Sequence, residues 1–240
     1  MIKFPFLSSF RARETESSDF ENYYNKEWLG RHSYFSDHQK RFIESWRFIE
    51  NLNWQNSEVI DIGGVGPLSA FAEKKFGAHL HTTSHDLRMG SLMPDSFADI
   101  VLCTETIEHI KDINSDSIVD LEAFNWSGVN NMLADIARTS KYGAKVFITT
   151  PNSSSYISLS KWLKKQPLMM DPRHVREFTV SELEEKCSNA GLKKLAISTI
   201  NTWSTFNDRQ MSAYVKLLED TNHNVEDRGD NILAIFTVQK

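Results

Sequence analysis

The sequence predicts an α/β fold: a doubly wound, mostly parallel sheet with helices on both faces. Strand-like apolar runs alternate with helical stripes along most of the chain. The run VIDIGGVG, residues 59–66, ends in an acid and a glycine turn, and a helix signal begins at once with Pro67. The chain has 240 residues, enough for one substantial core, and shows neither an internal repeat nor a low-complexity linker. Sheets of this kind hold their ligands beyond the carboxyl ends of the strands.

Residues 1–52 are expected to form an N-terminal helical and aromatic cap, because Tyr23, Tyr24, Trp28, Tyr34 and Phe35 are too aromatic for a disordered tail. Phe4, Phe6, Leu7 and Phe10 fit packing on the domain or a loose terminus better than contact with a membrane surface. A helix is predicted over 36–51, with a Ser36/Gln39 capping box and a stripe of Phe42, Ile43, Trp46 and Ile49.

From residue 53 to 240 the pattern is that of the α/β domain proper. The first strand runs over 58–62, and the helix after the glycine turn carries Leu68, Phe71, Ala72 and Phe76 and stops at Gly77. Strands follow over 78–84 and 100–104, then a helix over 129–139 and a strand over 145–150. Thr179 and Glu182 form a second capping box for a helix that Gly191 stops, and 195–200 and 231–238 are the last strands.

The net charge of -5 gives no global basic field, so nucleic acid is not an expected partner. Cys103 and Cys187 sit on predicted core elements and read as buried thiols in a reducing, cytoplasmic compartment. The N-terminus is too short and polar for a signal peptide, and no run is long enough to span a bilayer. Gly63, Gly64 and Gly66 depart from the G-x-G-x-x-G spacing, and Asp61 precedes them, which argues against a nicotinamide dinucleotide.

Four segments in order carry a resemblance: VIDIGGVGPLS, SFADIVLCTETIEHI, LADIARTSKYGAKVFITTPN and HVREFTVSELEEKCSNAGL. Together they resemble the class I S-adenosylmethionine-dependent methyltransferases over about residues 58–200. The ETIEH and TPN segments are similar to the branch of ubiquinone-pathway, sugar and small-metabolite enzymes, and also to the small-RNA 3'-end 2'-O-methyltransferases. The resemblance implies a Rossmann-like sheet of seven strands with an antiparallel last strand. Asp61, Gly63, Gly64 and Gly66 would face the methionine and ribose of the cofactor, and Asp86 would take the ribose hydroxyls. Thr104 and Glu105 would lie beside the sulfonium. Only about a dozen residues separate Asp86 from Phe97, where the family fits a helix and a further strand. That edge strand is therefore expected to be missing, which leaves Leu87, Arg88 and Met89 to cover the adenine.

Glu105, Glu108 and His109 stand at i, i+3 and i+4, so a helical turn after the strand would aim all three at the reactive end of the cofactor. In the RNA enzymes the matching residues, with a distant histidine that His174 matches, bind a divalent cation. Magnesium or manganese would suit the set Glu105, Glu108, His109 and His174. The alternatives are a metal-free site, in which His109 and His174 are candidate bases and Glu105 or Glu108 orients one of them, and a structural role.

Residues 153–176 carry Lys161, Lys164, Lys165, Arg173 and Arg176 against Asp171 alone, with Tyr156, Trp162, Met169 and Met170 among them. They read as a lid for a phosphorylated or carboxylated substrate, or as a solvated helix face, and 201–230 as a second cover. His79, His81 and His85 are expected to be core or rim residues, and Asp112 and Asp116 to be solvated.

The function expected is methyl transfer from S-adenosylmethionine to a hydroxyl of a small, anionic metabolite or sugar derivative. The competing readings are a metal-dependent 2'-O-methyltransferase of an RNA 3' end and a non-catalytic binding protein on the same fold.

Overall fold

The computed structural model describes residues 14–83, 85–90, 93–113, 121–203 and 206–239. Phe4, Phe6, Leu7, Phe10, Ser84 and Asp116 lie outside them. The chain divides into two compact units, Met1–Leu52 and Asn53–Lys240.

The first unit holds α1 (Glu14–Glu27), α2 (Ser33–Asp37) and α3 (Gln39–Ile49). Aromatic packing joins them: Phe20 stacks on Trp46 at 5.1 Å between centroids, and Tyr24 lies 5.5 Å from Phe42. The Tyr24 hydroxyl, buried with its ring, donates to the Phe35 carbonyl at 2.6 Å. The single helix expected over 36–51 is broken at His38, and the Ser36/Gln39 capping box does not form. Ser36 Oγ donates instead to the Ser33 carbonyl, and Gln39 Nε2 to Asn25 Oδ1.

The second unit is one sheet with its covering helices. Its elements are β1 (Glu58–Ile62), α4 (Pro67–Phe76), β2 (His79–Thr82), β3 (Ala98–Thr104), α5 (Leu121–Thr139), β4 (Ser140–Pro151), α6 (Tyr156–Leu163), α7 (Val180–Asn189), β5 (Leu192–Ile200), α8 (Asp208–Asp220) and β6 (Asn231–Val238). The strand order is β2-β1-β3-β4-β6-β5. The pairs β1/β2, β1/β3 and β3/β4 are parallel, and β6 runs antiparallel to both β4 and β5.

Among the described residues the sheet has six strands rather than seven, with β2 at one edge and β5 at the other. The chain between β2 and β3 is too short for a helix and a strand. It makes a 3₁₀ turn at Leu87–Met89 and runs along α5, where Arg138 bonds the Met93 carbonyl and the carboxylates of Asp95 and Asp135.

Strand alternation builds the core. Ile60, Ile62, Val101, Cys103, Val146 and Ile148 pack against Val129, Met132, Leu133 and Ile136 of α5 and Leu183 and Cys187 of α7. The alternate residues Val59, Ile100, Leu102 and Phe147 are buried as well, as a doubly covered sheet requires. Both cysteines are free and buried, and the Thr179/Glu182 capping box and the left-handed stop at Gly77 form as expected.

Helix α5 meets the loop after β3 at Gly128, where an added Cβ would lie 2.0 Å from the Lys111 carbonyl oxygen. Gly128→Ala is therefore expected to cost about 3 kcal/mol through forced backbone movement. Urea unfolding checks this, with Gly30→Ala as the control, because a Cβ there meets nothing within 4 Å and its backbone is outside the left-handed region.

Candidate active site

The glycine turn is held from beneath by Asp61. This side chain is buried, and its Oδ2 accepts from the Gly66 amide at 3.1 Å and from the Ser69 hydroxyl. Ser69 Oγ also takes the Gly66 amide, so the acid and the first turn of α4 close into one small network. Burial outweighs these bonds and lifts the Asp61 carboxyl from 3.8 to about 6. The turn is open at Gly64, whereas Gly63 lies against Thr106 and its amide donates to Thr83 Oγ1 at 3.3 Å. Gly63 and Gly64 have φ of 96° and 118°, and a Cβ on Gly64 would meet nothing within 4 Å.

Thr104 ends β3 opposite Thr149 of β4. The next residue, Glu105, adopts φ 51°, a left-handed conformation that costs a non-glycine residue about 1–2 kcal/mol. Its amide donates to the Thr149 carbonyl at 2.9 Å, and its Oε1 accepts from Asn231 Nδ2 at 2.8 Å. Because the chain kinks at Glu105 before the 3₁₀ turn Ile107–His109, its carboxylate points to Asn231 and stays outside the cluster of acid and histidines.

That cluster consists of Glu108, His109 and His174, whose ligand atoms lie within 4.8 Å of one another. Glu108 is fully buried, with Oε2 accepting from Thr150 Oγ1 at 3.0 Å. The rings of His109 and His174 meet edge to face at 4.9 Å. His174 arrives from far along the chain because the amides of Val175 and Arg176 bond the Glu108 carbonyl. Its Nδ1 lies 2.7 Å from Glu177 Oε1, and both side chains are nearly buried, at 9% and 3% exposure. A carboxylate is an acceptor only, so Nδ1 carries a hydrogen, and in the neutral ring the lone pair is on Nε2. Sequence reasoning missed Glu177, although its i+3 spacing from His174 was a usable signal. It also missed Asn231, which no local pattern ties to a partner 126 residues away.

Asp86 lies at the surface with both oxygens bonded by Arg88, whose guanidinium holds the carboxyl well below its usual range. Taking ribose hydroxyls there would mean displacing Arg88. Leu87 packs against the core as the first residue of the 3₁₀ turn.

Of the five cations in the expected basic cluster, two are paired with acids and a third bonds a carbonyl. Arg173 pairs with Asp171, Lys161 Nζ donates to the Met169 carbonyl, and Arg176 pairs with Asp112 at 2.5 Å over the Trp126 ring. Asp112 is thus a partly buried ion-pair partner and not a solvated acid. His79 and His81 bracket Glu58 at 2.9 and 2.7 Å, which makes them rim residues, and His85 lies apart from that pair.

The raised Asp61 carboxyl makes stability depend on pH with a definite sign. Between about pH 4 and pH 6 the folded chain keeps a proton that the unfolded chain has lost, so stability falls as pH rises, by about 3 kcal/mol. Asp61→Asn is expected to flatten that slope in urea unfolding at pH 4, 5, 6 and 7.

The pattern of the methyltransferase domain family matches residues 34–197. No curated protein matches the sequence. Among solved structures, a SAM-dependent methyltransferase from Archaeoglobus fulgidus aligns with a TM-score of 0.54 at 16% identity, over 86% of this chain and all of its own. A SAM-dependent methyltransferase from Thermotoga maritima, described as a possible histamine N-methyltransferase, aligns at 0.54 and 14%, over 92% of this chain and 98% of its own. Phosphoethanolamine N-methyltransferase 2 of Haemonchus contortus, in complex with S-adenosyl-L-methionine, aligns at 0.52 and 12%, over 92% of this chain and 60% of its own. The fold and the family match agree: the chain belongs to the methyltransferase domain family, and its fold is the class I fold of the S-adenosylmethionine-dependent enzymes.

Proposed function

We propose that this chain transfers the methyl group of S-adenosylmethionine to a hydroxyl of a small substrate, with His174 as the base. The observation that carries the reading is the Glu177–His174 pair, which holds a basic Nε2 beside Glu108 and His109 near the carboxyl end of β3.

The glycine turn supports cofactor binding. Its open upper surface at Gly64 leaves backbone within reach of a ligand, and Asp61 and Ser69 keep that surface in place. When bound, S-adenosylmethionine supplies an electrophilic methyl carbon on a sulfonium. Gly63, Gly64, Thr104 and Glu105 would border it, while Asp61 and Gly66 hold the turn from below. A substrate hydroxyl would lose its proton to His174 Nε2 as its oxygen bonds the methyl carbon and the carbon–sulfur bond breaks. Glu177 steadies the imidazolium that forms. Segments 153–176 and 201–230 serve as substrate-binding elements, since the first carries His174 and the second leads into Asn231, which holds Glu105.

His174→Ala is expected to lower kcat at least about 100-fold. Glu177→Gln should lower it about tenfold, with the heat of S-adenosylmethionine binding unchanged in both variants. The measurement is release of S-adenosylhomocysteine with pooled hydroxylated metabolites as acceptors, paired with calorimetry. If the wild type gives no heat with either form of the cofactor, the reading fails.

A second reading, a divalent-cation site, is favoured by the geometry of Glu108, His109 and His174 together with the carboxylate behind His174. One carboxylate and two imidazoles suit manganese or magnesium, and the acceptor would then be the 2'-hydroxyl of an RNA 3' end. This version requires that dialysis against a chelator abolish turnover and that added manganese restore it. Turnover that survives the chelator, with no binding of short RNA at low salt, eliminates it.

A further inference from the structure

The turn at the end of α6, within the segment 153–176, has a surface that neither the core nor the contacts around His174 explain. Residues 162–169 are all exposed, eight in succession. Four of them are large and apolar: Trp162 is 65% exposed, Leu163 49%, Leu168 50% and Met169 42%. Between them stand Lys164 and Lys165, neither ion-paired with a described residue, and no acid occurs from Ser153 to Met170. The chain as a whole is acidic on balance, with a net charge of -5, so this positive, apolar turn stands out from its own surface.

The turn is also ordered. The amides of Lys164, Lys165 and Gln166 return to the carbonyls of Ser160, Trp162 and Lys161, and Lys161 Nζ fastens the far side through the Met169 carbonyl at 2.8 Å. Bulky side chains therefore stand outward on a fixed backbone, with the ordering entropy already spent.

We propose that residues 162–169 dock the protein onto an anionic lipid bilayer. Trp162, Leu163, Leu168 and Met169 enter the interfacial layer, and Lys164 and Lys165 meet the lipid phosphates. Charge decides the occupant. A tryptophan and aliphatic side chains interleaved with lysines and free of acids match a negatively charged interface, where lysine stems lie along apolar surface while their ammonium groups reach the headgroups. A run of exposed side chains inserts readily into a deformable medium, which needs no preformed pocket.

The docking turn is connected to the chemistry. The Met170 amide donates to Glu177 Oε1, the same oxygen that holds His174 Nδ1. Resting on the methyltransferase reading above, the acceptor hydroxyl then belongs to an amphiphile held in that surface and presented to His174.

The test uses the full chain with sedimenting vesicles of phosphatidylcholine, alone or mixed with phosphatidylglycerol. The wild type is expected to partition to the anionic vesicles at least about tenfold more than to the neutral ones, and less so as salt is raised. Trp162→Ala/Leu163→Ala and Lys164→Glu/Lys165→Glu should each reduce that partition at least about tenfold. Their melting temperature and cofactor heat should be unchanged, because these side chains are exposed. Equal binding of wild type and both variants overturns the proposal. So does a concentration-dependent dimer in light scattering that Trp162→Ala/Leu163→Ala abolishes, since the turn then serves a second copy. Cofactor calorimetry on the same preparations separates the two failures: vesicle binding without cofactor heat sinks the enzymatic reading and leaves the docking turn standing.

Discussion

The two amides of Val175 and Arg176 converge on the carbonyl of Glu108, and much of the site depends on that junction. It joins a 3₁₀ turn at the end of β3 to a segment more than sixty residues further on, and so sets His174 against His109. Around the junction every polar contact reinforces the same placement. Arg176 is locked between Asp112 and Trp126, Lys186 lies on the same ring, and Glu177 is fixed by the Met170 amide as well as by His174. Interactions that meet at one point lose less entropy per bond than the same bonds made separately, because each partner is already ordered by the others.

The sheet was legible in the sequence because burial on both faces writes near-continuous apolar runs at 58–62, 100–104 and 231–238. The missing edge strand was legible from length alone, since the residues between Asp86 and Phe97 cannot hold a helix and a strand. Helix α8 was not foreseen, and α1 and α6 were foreseen only as part of a helical cap and as one of two readings of the basic segment. Helix α6 has only eight residues and α8 lies in a polar stretch, so local periodicity gave little to read.

The acid and histidine cluster was legible in part. Glu108, His109 and His174 carry spacing and motif signals, whereas the left-handed kink that removes Glu105 from their company is a tertiary effect. Its stabilising partners, Thr149 and Asn231, belong to other strands. The basic stretch 161–176 misled for a similar reason. Counting charges cannot show that Arg173 and Arg176 are already spoken for by Asp171 and Asp112. What stays outward, Lys164 and Lys165 beside Trp162, is a smaller and more apolar surface than the count implied.

Moving the sheet's boundary inward to β2 has a consequence for solubility. A border strand is a template on which another chain can add hydrogen bonds and begin to aggregate. Here that border is four residues long, and its outward histidines are paired with Glu58. So short a ledge gives an incoming strand few bonds with which to offset its ordering, and the imidazoles bonded to Glu58 would have to be stripped of water to seat it. Among the described residues no strand lies beyond β2, and the brevity of β2 guards against misassembly.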